Sequence, residues 1–258
     1  MNRETLAASV AGTAAQLRMQ LADLTAASQM LERTADGEKA CAYLAVLNQS
    51  ICRMLRTVGQ MELLNRLTDE DELRTFPAPT DLGPWTRQLA ERVRGILRGG
   101  RVSLDYQGPE ILLANVDQGL VKQMLLELIA AVAQPGGEVV LTLAQREENA
   151  CFTVRGVGTQ IPAGELARML DRPGGTLPKR WEVPLARQIA ELHAGSLVAE
   201  TAAGGRVSLV AILPLRLGMP AGHMESPALP YDAGGFRDEL VAFSDILPAQ
   251  VFSPEALG

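Results

Sequence analysis

The stretch Asp117–Gln134, DQGLVKQMLLELIAAVAQ, decides how the rest of the chain is read. Asp117 is placed to cap a helix, since a carboxylate accepts the free backbone N–H groups of a first turn. Behind it Val121, Met124, Leu125, Leu128 and Val132 recur at helical spacing, with Ile129 beside them, so one face is apolar. Pro135-Gly136-Gly137 ends the helix. The pattern predicts a buried helix at the centre of a domain.

Outward from it, Glu138–Gln145 and Cys151–Arg155 alternate like strands and join at 146–149 as a hairpin. Helical stretches are expected at Ala163–Leu170 and Val183–Leu192. A last hairpin follows at Ser196–Glu200 and Arg206–Pro214, turning at Ala202–Gly205. Upstream, Trp85–Leu97 has an apolar face of Trp85, Leu89, Val93 and Leu97. Arg101–Tyr106 and Ile111–Ala114 read as short strands around Gly108-Pro109. Antiparallel strands with helices on one face make an α+β sandwich over residues 81–215.

The N-terminal part is different. Residues 3–32 read as one helix, with Val10, Leu17, Leu24 and Leu31 every seven residues and Leu6, Ala14 and Leu21 widening the stripe. After a break at Thr34–Gly37, Leu44, Leu47, Ile51, Met54, Val58 and Met61 alternate spacings of three and four. Residues 1–68 therefore form an antiparallel helical hairpin. Its apolar stripes invite a second copy through residues 3–67, giving a four-helix bundle; packing back on the C-terminal domain is the alternative. Residues 69–80 read as a linker. Residues 216–258 form an acidic, Pro-containing tail in which Phe236, Leu240, Phe243 and Leu247 mark a short amphipathic helix. Such a segment docks on its own domain more often than it serves as a motif for a partner.

Bulk properties bound the function. The chain has 258 residues, 47% of them hydrophobic, with a net charge of −6, so no general basic field draws in nucleic acid or anionic lipid. No apolar run reaches the roughly 20 residues of a membrane helix. The start of the sequence lacks the basic and apolar blocks of a secretion signal. Cys41, Cys52 and Cys151 have no metal-ligand spacing, and an odd number closes no disulfide framework. A cytoplasmic protein with reduced thiols, without metal, is the expectation.

The helix ending QMLLELIAAVAQ (Gln123–Gln134), the strands after it and the closing run QIAELHAGSLVAETAAGGRVSLVAILPL together resemble the ATP-binding domain of sensor histidine kinases, of the GHKL ATPase type. That family writes its helix roughly as Q-x-L-x-N-L-x-x-N-A and ends in x-I-x-E-L-H-G-G followed by a hairpin. The resemblance spans about residues 81–215 and, more weakly, the helices before them. It implies a dimerisation hairpin, an α/β sandwich, and a response-regulator receiver domain as the class of partner, docking on the hairpin around Arg18.

The positions that would carry chemistry are replaced. The family surrounds its phosphoryl-accepting histidine with H-E-L-R-x-P; here Ala15-Gln16-Leu17-Arg18-Met19-Gln20 fits that frame, and Ala15 stands at the acceptor. The only histidines are His193 and His223, neither on the hairpin. The metal-binding asparagine falls at Ala131, which offers no oxygen to Mg²⁺. Glu127, four residues earlier, stands where related ATPases carry a general base. The D-x-G-x-G-I-P box reads Gly156-Val157-Gly158-Thr159-Gln160-Ile161-Pro162, so Gly156 replaces the adenine-binding aspartate, while Ile161 and Pro162 keep the loop. The phosphate-binding G-x-G-L-G-L box is replaced by Lys179-Arg180-Trp181-Glu182-Val183-Pro184, with Trp181 in the space for phosphate.

Two functions follow. The first is a catalytically inactive, dimeric scaffold without cofactor, whose vestigial pocket comprises Glu127, Ala131, Gly156, Gly158, Ile161 and Trp181. The alternative is a diverged ATPase that holds ATP and Mg²⁺ and uses Glu127 as base. A phosphotransfer protein would keep the acceptor histidine, which this chain lacks.

Overall fold

The computed structural model describes residues 17, 19–31, 33, 36–68, 75–160, 181–202, 206–216 and 236–257. Ala15, Arg18, Ile161, Pro162, the helix expected at 163–170 and the turn at 203–205 lie outside them. The chain divides into two compact units, one of residues 1–62, 173–179 and 231–258, the other of 63–172 and 180–230.

In the second unit a five-stranded sheet has the order β2-β4-β5-β7-β6. Its strands are β2 (Ser103–Gln107), β4 (Glu138–Arg146), β5 (Asn149–Gln160), β6 (Ser196–Ala202) and β7 (Arg206–Pro214). The pairs β4–β5 and β6–β7 are antiparallel, as the two hairpins require, and the first turns at Glu147-Glu148 where it was read. The sheet is mixed, however, because β2 runs parallel to β4. A hairpin around Gly108-Pro109 is not what forms: β3 (Leu113–Val116) pairs instead with β1 (Ala78–Asp81) as a separate two-stranded sheet. Strand β1 begins inside the expected linker and ends one residue beyond it, at Asp81. The sequence hides it because Pro77 and Pro79 have no N–H to donate, a feature tolerated in so short a ribbon.

Side chains alternate across the sheet. One row runs Leu141, Val154, Leu209 and another Leu143, Phe152, Ala211, Leu197, all buried and in register. Their neighbours Val140, Thr142 and Thr153 are half-buried, so a single face of the sheet carries the core. Three helices pack on the strands: α3 (Leu82–Leu97), α4 (Gln118–Val132) and α5 (Glu182–Leu192). Helix α4 contacts α5 as well as β4 and β5, and every residue from Met124 to Ala133 is buried. At about 25 cal/mol per Å² of apolar surface, a helix buried on all sides contributes far more than its propensity does.

The first unit holds α1 (residues 19–31) and most of α2 (Gly37–Thr68). Asp36 starts α2 by accepting from the N–H groups of Glu38 (3.0 Å) and Lys39 (3.3 Å). Leu21, read as part of the apolar seam, is 52% exposed; the side chains that α1 buries are Gln20 and Ala27. Gln20, in the place of the family's proline, reaches Thr57 of α2. The tail is part of this unit rather than a separate segment. Its predicted helix is confined to α6 (Asp238–Ala242), followed by a 3-10 turn (Ala249–Phe252) and α7 (Pro254–Leu257). Leu240, Phe243 and Leu247 are buried as the stripe predicts, Phe236 half-buried, and Phe252 joins them with no exposure.

Candidate functional site: helix α4 and its surroundings

The start of α4 is a junction. Asp117 Oδ1 accepts from Leu120 N at 3.1 Å, capping the helix as its position predicts. Its Oδ2 accepts from Phe76 N at 2.9 Å, which ties down the segment before β1. Its own N–H donates to His193 Nε2 at 3.2 Å.

His193 caps the far end of α5 and is buried. Its Nδ1 lies 2.8 Å from the Ile189 carbonyl, an obligate acceptor, so Nδ1 carries the proton and Nε2 accepts. Both ring nitrogens are thereby committed to backbone, joining the end of α5 to the start of α4. At nearby Gly195 the chain passes close against β7. A Cβ there would stand 2.1 Å from the Ile212 carbonyl oxygen, which no other residue type tolerates.

Further along α4, Glu127 is 1% exposed and accepts from Gln123 Nε2 at 2.9 Å, one turn earlier. Ala131 follows one turn later, buried, with a methyl group and no oxygen to offer. Gly156 lies in β5, paired with Val139 on one side and Val207 on the other. The box expected as a loop is therefore the end of a strand: β5 continues to Gln160, which pairs with Arg206 after a register shift. Gly158 falls within that irregular stretch. Alternation stops being visible in Gly-Val-Gly, which is why the strand read from sequence ends at Arg155. Trp181 is half-buried at the N-cap of α5 and makes no side-chain capping bond; its carbonyl accepts from Leu185 N at 3.0 Å. Pro184, in the first turn of α5, costs the helix nothing because the first N–H groups have no intrahelical acceptor.

Among the described residues no group of three or more His, Cys, Asp or Glu side chains is arranged to hold a metal ion. A cleft of about 410 Å³ opens between β1, α3 and the first turn of α4. Its walls include Asp81, Trp85, Gln88 and Gln118, and none of the residues named for the nucleotide pocket lines it. Asp81 is spent on structure there, accepting from Gly83 N (3.2 Å) and Leu112 N (2.9 Å). Burial raises the Tyr106 phenol, whose hydroxyl donates to the Gly83 carbonyl, and so keeps it neutral. No helix among the described residues is long and apolar enough to cross a membrane.

No protein-family model matches the sequence, and no characterised protein matches it at the sequence level. Solved structures do match. The histidine kinase AdeS of Acinetobacter baumannii superposes with a TM-score of 0.61 at 12% identity, over 78% of this chain and 98% of that one. Histidine kinase ThkA, solved in complex with the response regulator TrrA, gives 0.60 at 17% identity, over 80% of this chain and 61% of that one. Full-length ShkA in complex with AMPPNP gives 0.58 at 16% identity, over 78% of this chain. This chain spans 44% of ShkA and so corresponds to under half of that protein. At such identities the likeness is one of architecture, and the helices, the five-stranded mixed sheet and their order give it the same meaning: this chain has the histidine kinase ATPase fold, preceded by a helical region.

Proposed function

We propose that the chain is a catalytically silent, dimeric scaffold built on a histidine kinase architecture, and that it works by presenting its hairpin to protein partners. The observation that carries this reading is the histidine inventory. Phosphoryl acceptance by the hairpin needs an imidazole there, and the sequence has two histidines, at 193 and 223. Ala15 stands at the acceptor position, Ala131 at the metal ligand and Gly156 at the adenine carboxylate. A fold retained while those side chains are replaced retains surfaces. Ile161, Gly158 and Trp181 complete the vestigial pocket in this reading.

Dimerisation is supported by what α2 leaves open. Its apolar stripe of Leu44, Leu47, Ile51 and Met54 is half-buried within the chain, and Val58 and Met61 are 41% and 40% exposed. A second hairpin covers that stripe. The partner class is a response-regulator receiver domain, a proposal supported by the complex that ThkA forms with TrrA. Helix α1 offers Met19 and Met30, 66% and 54% exposed, as adaptable apolar contacts.

A second reading is favoured by one observation, the almost complete burial of the Glu127 carboxyl group on the helix that related ATPases use for their base. In that reading ATP and Mg²⁺ bind and Glu127 activates water.

Incubation of the full chain with γ-labelled ATP and Mg²⁺ separates the two. The scaffold reading expects no label on the protein, no released phosphate and no rise in melting temperature at millimolar nucleotide. Turnover that Glu127→Gln abolishes establishes the second reading and overturns the first. Titration with purified receiver domains then tests the partner class, and absence of association at 100 µM removes it.

A further inference from the structure

The stripe that α2 leaves open has a counterpart on the opposite side of the same helix, and that side is closed by the chain itself. Ala45, Gln49, Cys52 and Arg56 are spaced four, three and four apart, hence on one face, and all are buried. What lies on them is the tail. Gln49 Nε2 donates to the carbonyls of Ser244 (3.0 Å) and Leu247 (2.7 Å). Asn48 Nδ2 donates to the Phe252 carbonyl at 2.9 Å. Arg56 Nη1 meets Asp245 Oδ2 at 2.7 Å, and Arg53 Nε lies 3.3 Å from the other carboxylate oxygen. At the outer end Cys41 Sγ approaches Glu255 Oε1 at 3.7 Å.

This is the manner in which a helix binds a foreign peptide. Five side chains of α2 (Cys41, Asn48, Gln49, Arg53 and Arg56) reach carbonyls and two carboxylates of the segment, while Phe243 and Phe252, on either side of Asp245, are fully buried. The segment itself is three short pieces, of five, four and four residues, too short to be stable helices by themselves. Its conformation therefore depends on the surface that holds it. Arg56, 7% exposed, has a carboxylate opposite it, and the Arg–carboxylate pair defines the register in which the two aromatic anchors seat.

We propose that residues 236–257 are a releasable strap, an intramolecular ligand that keeps this face of α2 closed to any partner segment bearing a carboxylate between two aromatic anchors. Tethering gives the strap a high effective concentration, so a competitor in solution succeeds only where the strap is weakened or the competitor seats better. The proposal concerns the face of α2 opposite the apolar stripe and does not require a receiver domain as the partner.

The chain contains its own reporters. Cys52 lies in the middle of the covered face with no exposure, and burial pushes its thiol up to about 12, so it stays protonated and unreactive while covered. Cys151, buried in β5 of the other unit, reports whether that unit stays folded, and the helical circular dichroism reports on α1 and α2. In the full-length chain, Asp245→Ala is expected to speed alkylation of Cys52, followed residue by residue by mass spectrometry at pH 8, at least tenfold, with Cys151 unchanged. The Asp245 side chain is 47% exposed, so its loss leaves no cavity and acts on the contact with Arg56. A fluorescent peptide of residues 236–257 should bind the full chain carrying Phe243→Ala and Asp245→Ala at least tenfold more tightly than it binds the wild type. The same peptide carrying Asp245→Ala should lose that advantage. Cys52 labelling that stays at the wild-type rate, or a peptide that binds both chains equally or neither, overturns the proposal.

Discussion

Helices α2 and α4 have equally regular apolar spacing in the sequence, and the chain treats them in opposite ways. On α4 every residue of the predicted face, Val121, Met124, Leu125, Leu128, Ile129 and Val132, is fully buried. The rest of its second half, Leu126, Glu127, Ala130 and Ala131, is buried as well, because α5 covers one side and the sheet another. On α2 the predicted stripe is half-covered at best, and the fully buried face is the one carrying Gln49, Cys52 and Arg56. Periodicity shows where the apolar side chains are. It does not show which neighbour arrives to cover them, nor that a more polar face will be covered first by a segment nearly 200 residues away (Gln49 to Ser244).

The sharpest way to break this contrast is truncation in the two stripes. Leu128→Ala on α4 removes a fully buried side chain and is expected to cost about 3–5 kcal/mol in urea unfolding. A loss under about 1 kcal/mol would mean that α4 is not the centre of the domain. Ile51→Glu, on the half-covered stripe of α2, is expected to weaken self-association at least tenfold in sedimentation while circular dichroism stays unchanged. If it unfolds the chain instead, the stripe is an internal core and no second copy is needed. Asp117→Ala, at the junction of α4, removes a cap and the Phe76 contact; about 1–2 kcal/mol of stability should go with it, seen as a lowered urea midpoint. Met30→Gln, on the exposed side of α1, should leave stability within about 0.5 kcal/mol of wild type. A larger change in either direction would show that this side of α1 is covered.

The pocket positions repeat the contrast on a smaller scale. That Ala15, Ala131 and Gly156 carry no imidazole, amide or carboxylate was legible residue by residue, because each is a statement about which atoms a side chain owns. Their surroundings were not. Gly156 sits within a strand rather than a loop, since pairing with Val139 and Val207 outweighs the turn tendency of Gly-Val-Gly. His193, which the sequence shows only to lie off the hairpin, joins two helices through both ring nitrogens. Nothing in the spacing from Asp117 to His193 announces that bond.

By itself the sequence determined the elements whose signals are local: the cap at Asp117, the face of α4, the two β-hairpins, and the absence of a histidine from the hairpin helices. Capping, alternation and turn chemistry act over a few residues, so a few residues suffice to read them. Tertiary structure alone decided the parallel β2–β4 pairing, the small β1–β3 ribbon, the extension of β5 and the seating of the tail on α2. Each of these matches surfaces that are distant along the chain. There the choice among several adequate partners rests on the total area buried and the polar groups satisfied, quantities that exist only once the chain has closed on itself.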